Sequence, residues 1–378
     1  MWPDSRPFLI VSVSGRSLAA MAQRSGARAV ALDLFADEDT AERCDTVRRV
    51  SSDRALRFHG PRLLAAAAEL APPHASAGLV IGSGLEGRPR LLGRLAAGRR
   101  LFGNAPQTIA RLKEPATLLP LLDSLDIRYP AVRFEAPLAP RGWLVKQAGG
   151  AGGAHVREAR GGSKPRSGRY FQRFVRGRTL SVLFLANGRD ARIIGFNEQW
   201  PAGAACPALP FSYGGALSDA CVPAIAQAQV EAWVRRLCGR AALVGLNGID
   251  FVLDEGDVPW FLEVNPRPTA TAELYDARAE GGLFRWHVEA CDGVLPGDAL
   301  GTGAVRGHKV VYAFAAAEVP LRLHWPAWVT DRPQPGARFA AGAPVCTVHA
   351  DGSDARQVER QLDARSRMII RSILPLAA

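Results

Sequence analysis

The sequence predicts an α/β chain, α+β in part, with a doubly wound parallel lobe first and antiparallel, β-rich lobes behind it. Three observations carry this. The chain opens in β-loop-α-β order, the signature of parallel strands joined by crossovers. The middle alternates strands with glycine turns. The 378 residues exceed the ~250–300 at which a single core stops growing, so two to four lobes around a cleft are expected.

Residues 8–13, FLIVSV, read as a buried strand, SGRS as a short loop and SLAAMAQRSG as a helix. ARAVALDLF holds a second strand ending at Asp33, and GLVIGSG at 78–84 adds another. The SVSGRS loop lacks the three glycines of a dinucleotide fingerprint. RPRLLGRLAAG is an amphipathic helix, and FGNAPQTIARLKEPATLLPLLDSLDI gives two more before Pro130. WLVKQ is a strand, AGGAGGAHV a glycine loop, RGGSKPRSGR a polar hairpin tip, and YFQRFVRGRTLSVLFLANG strand, bend, strand. VPAIAQAQVEAWVRRLCG is a helix, and a hairpin follows at 248–265. The tail has strands around KVVYAFAA and PVCTVHADG, then the helix DARQVERQLDARSRMIIRSI. The division expected is 1–105, 106–300 (a flap lobe at about 130–180 and a second lobe at about 181–300) and 301–378.

Composition narrows the function classes. Hydrophobic residues are 48% and charged residues 22%, ordinary for a soluble globular protein. No apolar run reaches the ~18–20 residues of a membrane span, and MWPDSRPFLIVSVSG makes a poor signal peptide; a cytoplasmic location is expected. The net charge of +11 is spread without a basic run or basic–aromatic interleaving, which favours an anionic small molecule over nucleic acid. Cys44, Cys206, Cys221, Cys238, Cys291 and Cys346 show no C-x-x-C spacing and read as reduced thiols. The seven histidines show no metal spacing. Lysine occurs only as Lys113, Lys146, Lys164 and Lys309; where arginine is the default cation, a lysine marks a place that wants a compact ammonium.

The strongest local signal is GLNGIDFVLDEGDVPWFLEVNPRP. With Asp254 facing Pro259 across a four-residue loop, Asp250 lies opposite Glu263, and Asn265 shares the face of Glu263. Like charges at ~4 Å repel by ~4 kcal/mol at an effective dielectric of about 20, so the pair calls for a cation. Oxygen-only donors favour Mg²⁺ or Mn²⁺. Magnesium is commonly shared with phosphates, which points to a nucleotide. Arg267 then suits a phosphate or carboxylate. The second signal is Lys146 before Gly149, Gly150, Gly152 and Gly153, glycines that let backbone N–H groups approach phosphate; a plain flexible turn is the competing reading. The third is Lys113, otherwise a surface helix lysine. The fourth is YFQRFVRG, an extended stretch whose backbone can meet an adenine edge.

In this order the four resemble the ATP-grasp superfamily, over roughly residues 100–275. The resemblance implies the ATP-grasp fold. It implies ATP and Mg²⁺ (or Mn²⁺) as cofactors, with Lys113 and Lys146 on the phosphates and the Gly149–Gly153 flap closing over them. Gln172, Arg173, Phe174 and Val175 would hold adenine, Asp250, Glu263 and Asn265 the metal, and Arg267 with Lys146 would act in catalysis. Thr179 stands where the family often has a ribose-binding glutamate, leaving that contact unassigned. His155, Tyr213, Gly214 and Gly215 fall where phosphate or acceptor contacts could lie. The implied activity is an ADP-forming carboxylate–amine ligase making a C–N bond between small-molecule substrates, with no nucleic acid or membrane partner and room for a homodimer. The chain is similar to predicted carboligases of bacteria that use methanopterin- or methanofuran-type cofactors. Two alternatives are a biotin-carboxylase-like carboligase, whose C-terminal lobe GAPVCTVHADGSDA resembles though no Met-Lys-Met site is present, and a non-enzymatic ATP-binding regulator.

Overall fold

The computed structural model describes residue 2 and residues 4–54, 56–161, 167–297 and 300–375. Half of the polar tip RGGSKPRSGR, residues 162–166 with Lys164, lies outside them.

The opening segments fold into a five-stranded sheet ordered Thr46–Arg49, Ala29–Asp33, Phe8–Val11, Gly78–Ile81, Leu101–Phe102, every pair parallel. The central strands are apolar throughout because both faces are covered: Leu9 and Val11 pack on one side with Leu63, Leu92 and Ile109, and Phe8 and Ile10 on the other with Leu18, Met21 and Phe284. Sequence reading missed Thr46–Arg49 and Leu101–Phe102, two edge strands too short or too charged to carry an apolar run, and the helix Gly60–Leu70.

Glu114 adopts an extended backbone ahead of Pro115, which ends the helix Pro106–Lys113 and starts the helix Pro115–Ser124. A four-stranded sheet follows, ordered Arg157–Glu158, Trp143–Gln147, Arg169–Arg173, Val132–Arg133. The largest sheet has eight strands, from Pro259–Asn265 through Val244–Leu253, Arg178–Asn187, Ala191–Pro201, Tyr213–Leu217, Val305–Tyr312 and Pro344–Gly352 to Val329–Thr330. The tail strands therefore extend the same sheet that carries the hairpin. The helix Ala224–Ala241 buries Val230, Trp233, Val234 and Leu237 against it, sharing a core with Phe184, Phe251 and Phe261. All six cysteines are free thiols. No described helix is long and apolar enough to cross a membrane.

Candidate active site

The hairpin pairs Asp250 with Glu263, as read from the sequence, but reaches that register by another route. Leu253 faces Pro259, so the connection has five residues, not four. A bulge at Leu262 then restores the register: Phe251 faces Phe261, while Asp250 faces Glu263 and Gly248 faces Asn265. Bulges re-aim side chains beside functional sites, and this one brings both carboxylates to the same end of the ribbon. The Asn265 amide donates to Asp250 Oδ2 at 2.9 Å, and Gln199 Nε2 donates to Asp250 Oδ1 at 3.2 Å.

Lys113 is the last residue of its helix, where a cation meets the negative end of the dipole. Its side chain is buried and its Nζ donates to Glu263 Oε2 at 3.0 Å, the Val264 carbonyl at 3.3 Å and Asn265 Oδ1 at 3.5 Å. Lys146, also buried, donates to Gln172 Oε1 at 3.0 Å. The structure thus gathers Lys113, Asp250, Glu263 and Asn265 into direct contact and pairs Lys146 with Gln172.

Arg267 makes a contact no local pattern announced. Its guanidinium forms a buried ion pair with Glu86, from the loop after the parallel strand Gly78–Ile81, and also donates to Asn265 Oδ1 at 3.4 Å. The one available signal was position: Glu86 follows the carboxyl end of a parallel strand, where such sheets place ligand sites. The hairpin is further tied to the first lobe by buried Asn104, which donates to Asn247 Oδ1 at 2.8 Å and the Pro266 carbonyl at 3.0 Å.

The charges at this site depend on one another. Burial, then the facing Glu263, pushes the Asp250 carboxyl up. Burial would also raise Glu263, but Lys113, Lys146 and His155 reverse this and hold it well below the usual range. Glu86 is likewise held low, by Arg267 and Lys113 against its burial. Burial lowers Lys146. Burial takes His155 down to about 4, opposed by Glu263 and helped by the two lysines, so its ring is neutral at pH 7 with Nδ1 enclosed and unbonded.

The glycine loop is docked over these groups. Gly149 N–H donates to the Lys113 carbonyl at 3.0 Å, and Tyr213 N–H donates to the Gly152 carbonyl at 3.0 Å. Gly153 has φ +71°, and a methyl there would collide with the Phe211 carbonyl; one on Gly149 (φ +70°) would strike Gly87. Gly150 packs on the His155 ring.

In the hinge stretch, Gln172 faces inward. Arg173 instead donates to the Arg141 carbonyl at 3.2 Å and lies over Trp143, and Phe174 is exposed. The N–H groups of Arg173 and Phe174 are taken by the Ala131 and Gly142 carbonyls. Thr179 lies in a strand opposite Val252. Gly215 packs under Trp200 and Gly214 against Pro201.

Residues 108–271 match the model of the ATP-grasp domain family. The chain carries an ATP-grasp domain. Its fold is that of ATP-grasp enzymes over nearly the full length. Biotin carboxylase from Campylobacter jejuni superposes with a TM-score of 0.72 at 12% identity, covering 97% of this chain and 91% of that one. The L-amino acid ligase of Bacillus licheniformis gives 0.71 at 11% identity, covering 99% and 100%. N5-carboxyaminoimidazole ribonucleotide synthetase from Thermotoga maritima gives 0.67 at 13%, covering 97% and 98%. No curated protein sequence matches the chain.

Proposed function

We propose that this ATP-grasp protein is an ATP- and Mg²⁺-dependent ligase that activates a carboxylate as an acylphosphate for attack by an amine. The observation that carries the reading is the oxygen set Asp250, Glu263 and Asn265 beside Lys113. Two carboxylates that face each other in a buried register disfavour double ionisation; a hard divalent cation relieves that. The donors are oxygen throughout, as Mg²⁺ and Mn²⁺ prefer, so the residues fit the ion. Bound there, Mg²⁺ would neutralise phosphate charge.

The chain's own residues have the following roles. Lys113 and Lys146 are compact ammonium groups that transfer from Glu263 and Gln172 to phosphate oxygens when the nucleotide enters. The docked glycine flap presents backbone N–H groups and excludes water from the acylphosphate. Hinge positions Gln172 to Val175 hold adenine; with the Arg173 and Phe174 N–H groups already bonded, Val175 is the hinge donor left to it. Arg267, oriented by Glu86, stabilises the phosphoryl oxygens during transfer. A carboxylate oxygen bonds to the γ-phosphorus as the bond to the β-bridging oxygen breaks and ADP leaves. The amine then bonds to the carbonyl carbon, phosphate departs, and the amine proton passes to solvent. Residues 106–300 would form the ATP-grasp unit between the 1–105 and 301–378 lobes. A one-carbon-cofactor pathway is one setting for such chemistry.

The test is ADP release with product mass on a panel of carboxylates and amines. Release that needs both partners supports the ligase. Release driven by bicarbonate and biotin would assign a carboxylase instead, and ATP binding with no turnover on any acceptor would assign a regulator.

A further inference from the structure

A second group of donors lies away from the hairpin. Glu273 follows it in a 3₁₀ turn, Ala270–Leu274, while His308 and His349 sit opposite each other on the paired strands Val305–Tyr312 and Pro344–Gly352. One ring nitrogen of each histidine and a carboxylate oxygen of Glu273 all lie within 4.8 Å of one another. We infer that Glu273, His308 and His349 form a binding site for a single borderline transition-metal ion such as Zn²⁺.

The donor set comes first. Two imidazoles and a carboxylate are a zinc-type set, unlike the oxygen-only hairpin. A tetrahedral ion at about 2.1 Å from each donor brings them to about 3.4 Å of one another. His308 Nδ1 and Glu273 Oε1 already stand at 3.2 Å, and a His349 ring nitrogen lies within 4.8 Å of both donors.

The outer contacts point the same way. His308 Nε2 meets the Tyr213 hydroxyl at 2.7 Å, and His349 Nε2 meets the Thr330 hydroxyl at 2.7 Å. Each ring is thus held at Nε2 by a hydroxyl, the arrangement that orients imidazole ligands through their other nitrogen. His308 is 1% exposed, and its Nδ1 faces the Glu273 carboxylate as an ion-pair contact; an ion between them would take the place of that contact.

Carboxylates stand close to the site, although arginines also line its cavity. Glu273 also pairs with Arg16, but that guanidinium is shared with Asp331 and approached by Asp39. Asp37, which feels both Asp331 and Arg16, belongs to the same enclosed cluster, so the carboxyls outnumber the arginine they face. Carboxylate oxygens have lone pairs to spare beyond one Arg16 contact. Glu273 and His349 also line a cavity of about 550 Å³ between the first lobe and the tail strands, which gives the ion an entry path and an open coordination position.

The measurement is Co²⁺ titration followed by its visible ligand-field absorption, made on the Glu263→Gln background so that the hairpin does not contribute. One equivalent of Co²⁺ with an intense four-coordinate spectrum, displaced by Zn²⁺ and not by excess Mg²⁺, is expected. His349→Gln should abolish the band, and Thr330→Val should weaken binding by roughly 10-fold. Thermal melts in chelator show whether each variant folds. Should His349→Gln fail to fold, the Thr330→Val shift and a Zn²⁺-dependent rise in the melting temperature of the parent protein decide. Absence of the band in the folded parent, or an undiminished band in folded His349→Gln, overturns the inference. Failure here leaves the ligase reading intact, because the nucleotide site uses none of these side chains.

Discussion

Among the described residues, two buried clusters of carboxyl groups are balanced in opposite ways. On the hairpin, Asp250 and Glu263 are met by Lys113 and Lys146, compact ammonium groups that can leave when phosphate arrives. At the seam between the first lobe and the tail, Asp39, Asp331 and Glu273 meet the guanidinium of Arg16, with Asp37 in the same cluster. A lysine is an exchangeable point charge; an arginine fork bonded to several acids is a fixture. The first cluster can exchange its counter-charge for a ligand's, whereas in the second Arg16 ties segments together while Glu273 keeps lone pairs for an ion.

Glu263→Gln should separate the two most sharply. ADP release is expected to fall by roughly 10²–10³-fold, with the thermal melt little changed. The converse variant, Arg16→Met, leaves several buried carboxylates unpaired and should cost about 3–5 kcal/mol of unfolding free energy, measured by urea denaturation. ADP release from the protein that remains folded should persist. Gly153→Ala tests the flap alone: the strained φ and the clash with Phe211 undock the loop, and turnover should drop about 10-fold, as 1.4 kcal/mol of lost positioning gives.

A further effect is one of pH. Burial and the neighbouring Asp331, Asp33 and Asp39 raise the Asp37 carboxyl to about 8, against about 3.9 in an unfolded chain. A raised folded value means that folding takes up a proton between those limits. The stabilisation is complete below about pH 4 and is lost as pH rises through about 8. Asp37→Asn should flatten that decline and be more stable than the parent at pH 8, measured by urea denaturation across the pH range. A decline as steep in the variant as in the parent would place its origin elsewhere in the seam.

The two clusters also differ in how far the sequence exposed them. Asp250, Glu263 and Asn265 lie within 16 residues of one another on a hairpin, so alternation and register suffice to bring them together. Even there, the five-residue turn and the Leu262 bulge compensated each other; a pairing rule without bulges reached the right partners from the wrong loop. The helix-ending lysine was legible because Pro115 fixes where its helix stops. Glu86 was not, because its partner Arg267 lies 181 residues away. The seam was illegible for the same reason: Arg16 meets Glu273 and Asp331 at separations of 257 and 315 residues, and no periodicity reaches so far. Arg173 and Phe174 show the limit locally: alternation turned Arg173 outward from Gln172, and Phe174, past the end of the strand, is exposed as well.

The most direct measurement is the calorimetric binding of ATP, with and without Mg²⁺, to the parent chain and to Glu263→Gln. Mg²⁺ should tighten ATP binding to the parent, and Glu263→Gln should remove most of this gain while the protein stays folded. Equal Mg²⁺ dependence in both proteins, or none in the parent, would contradict it.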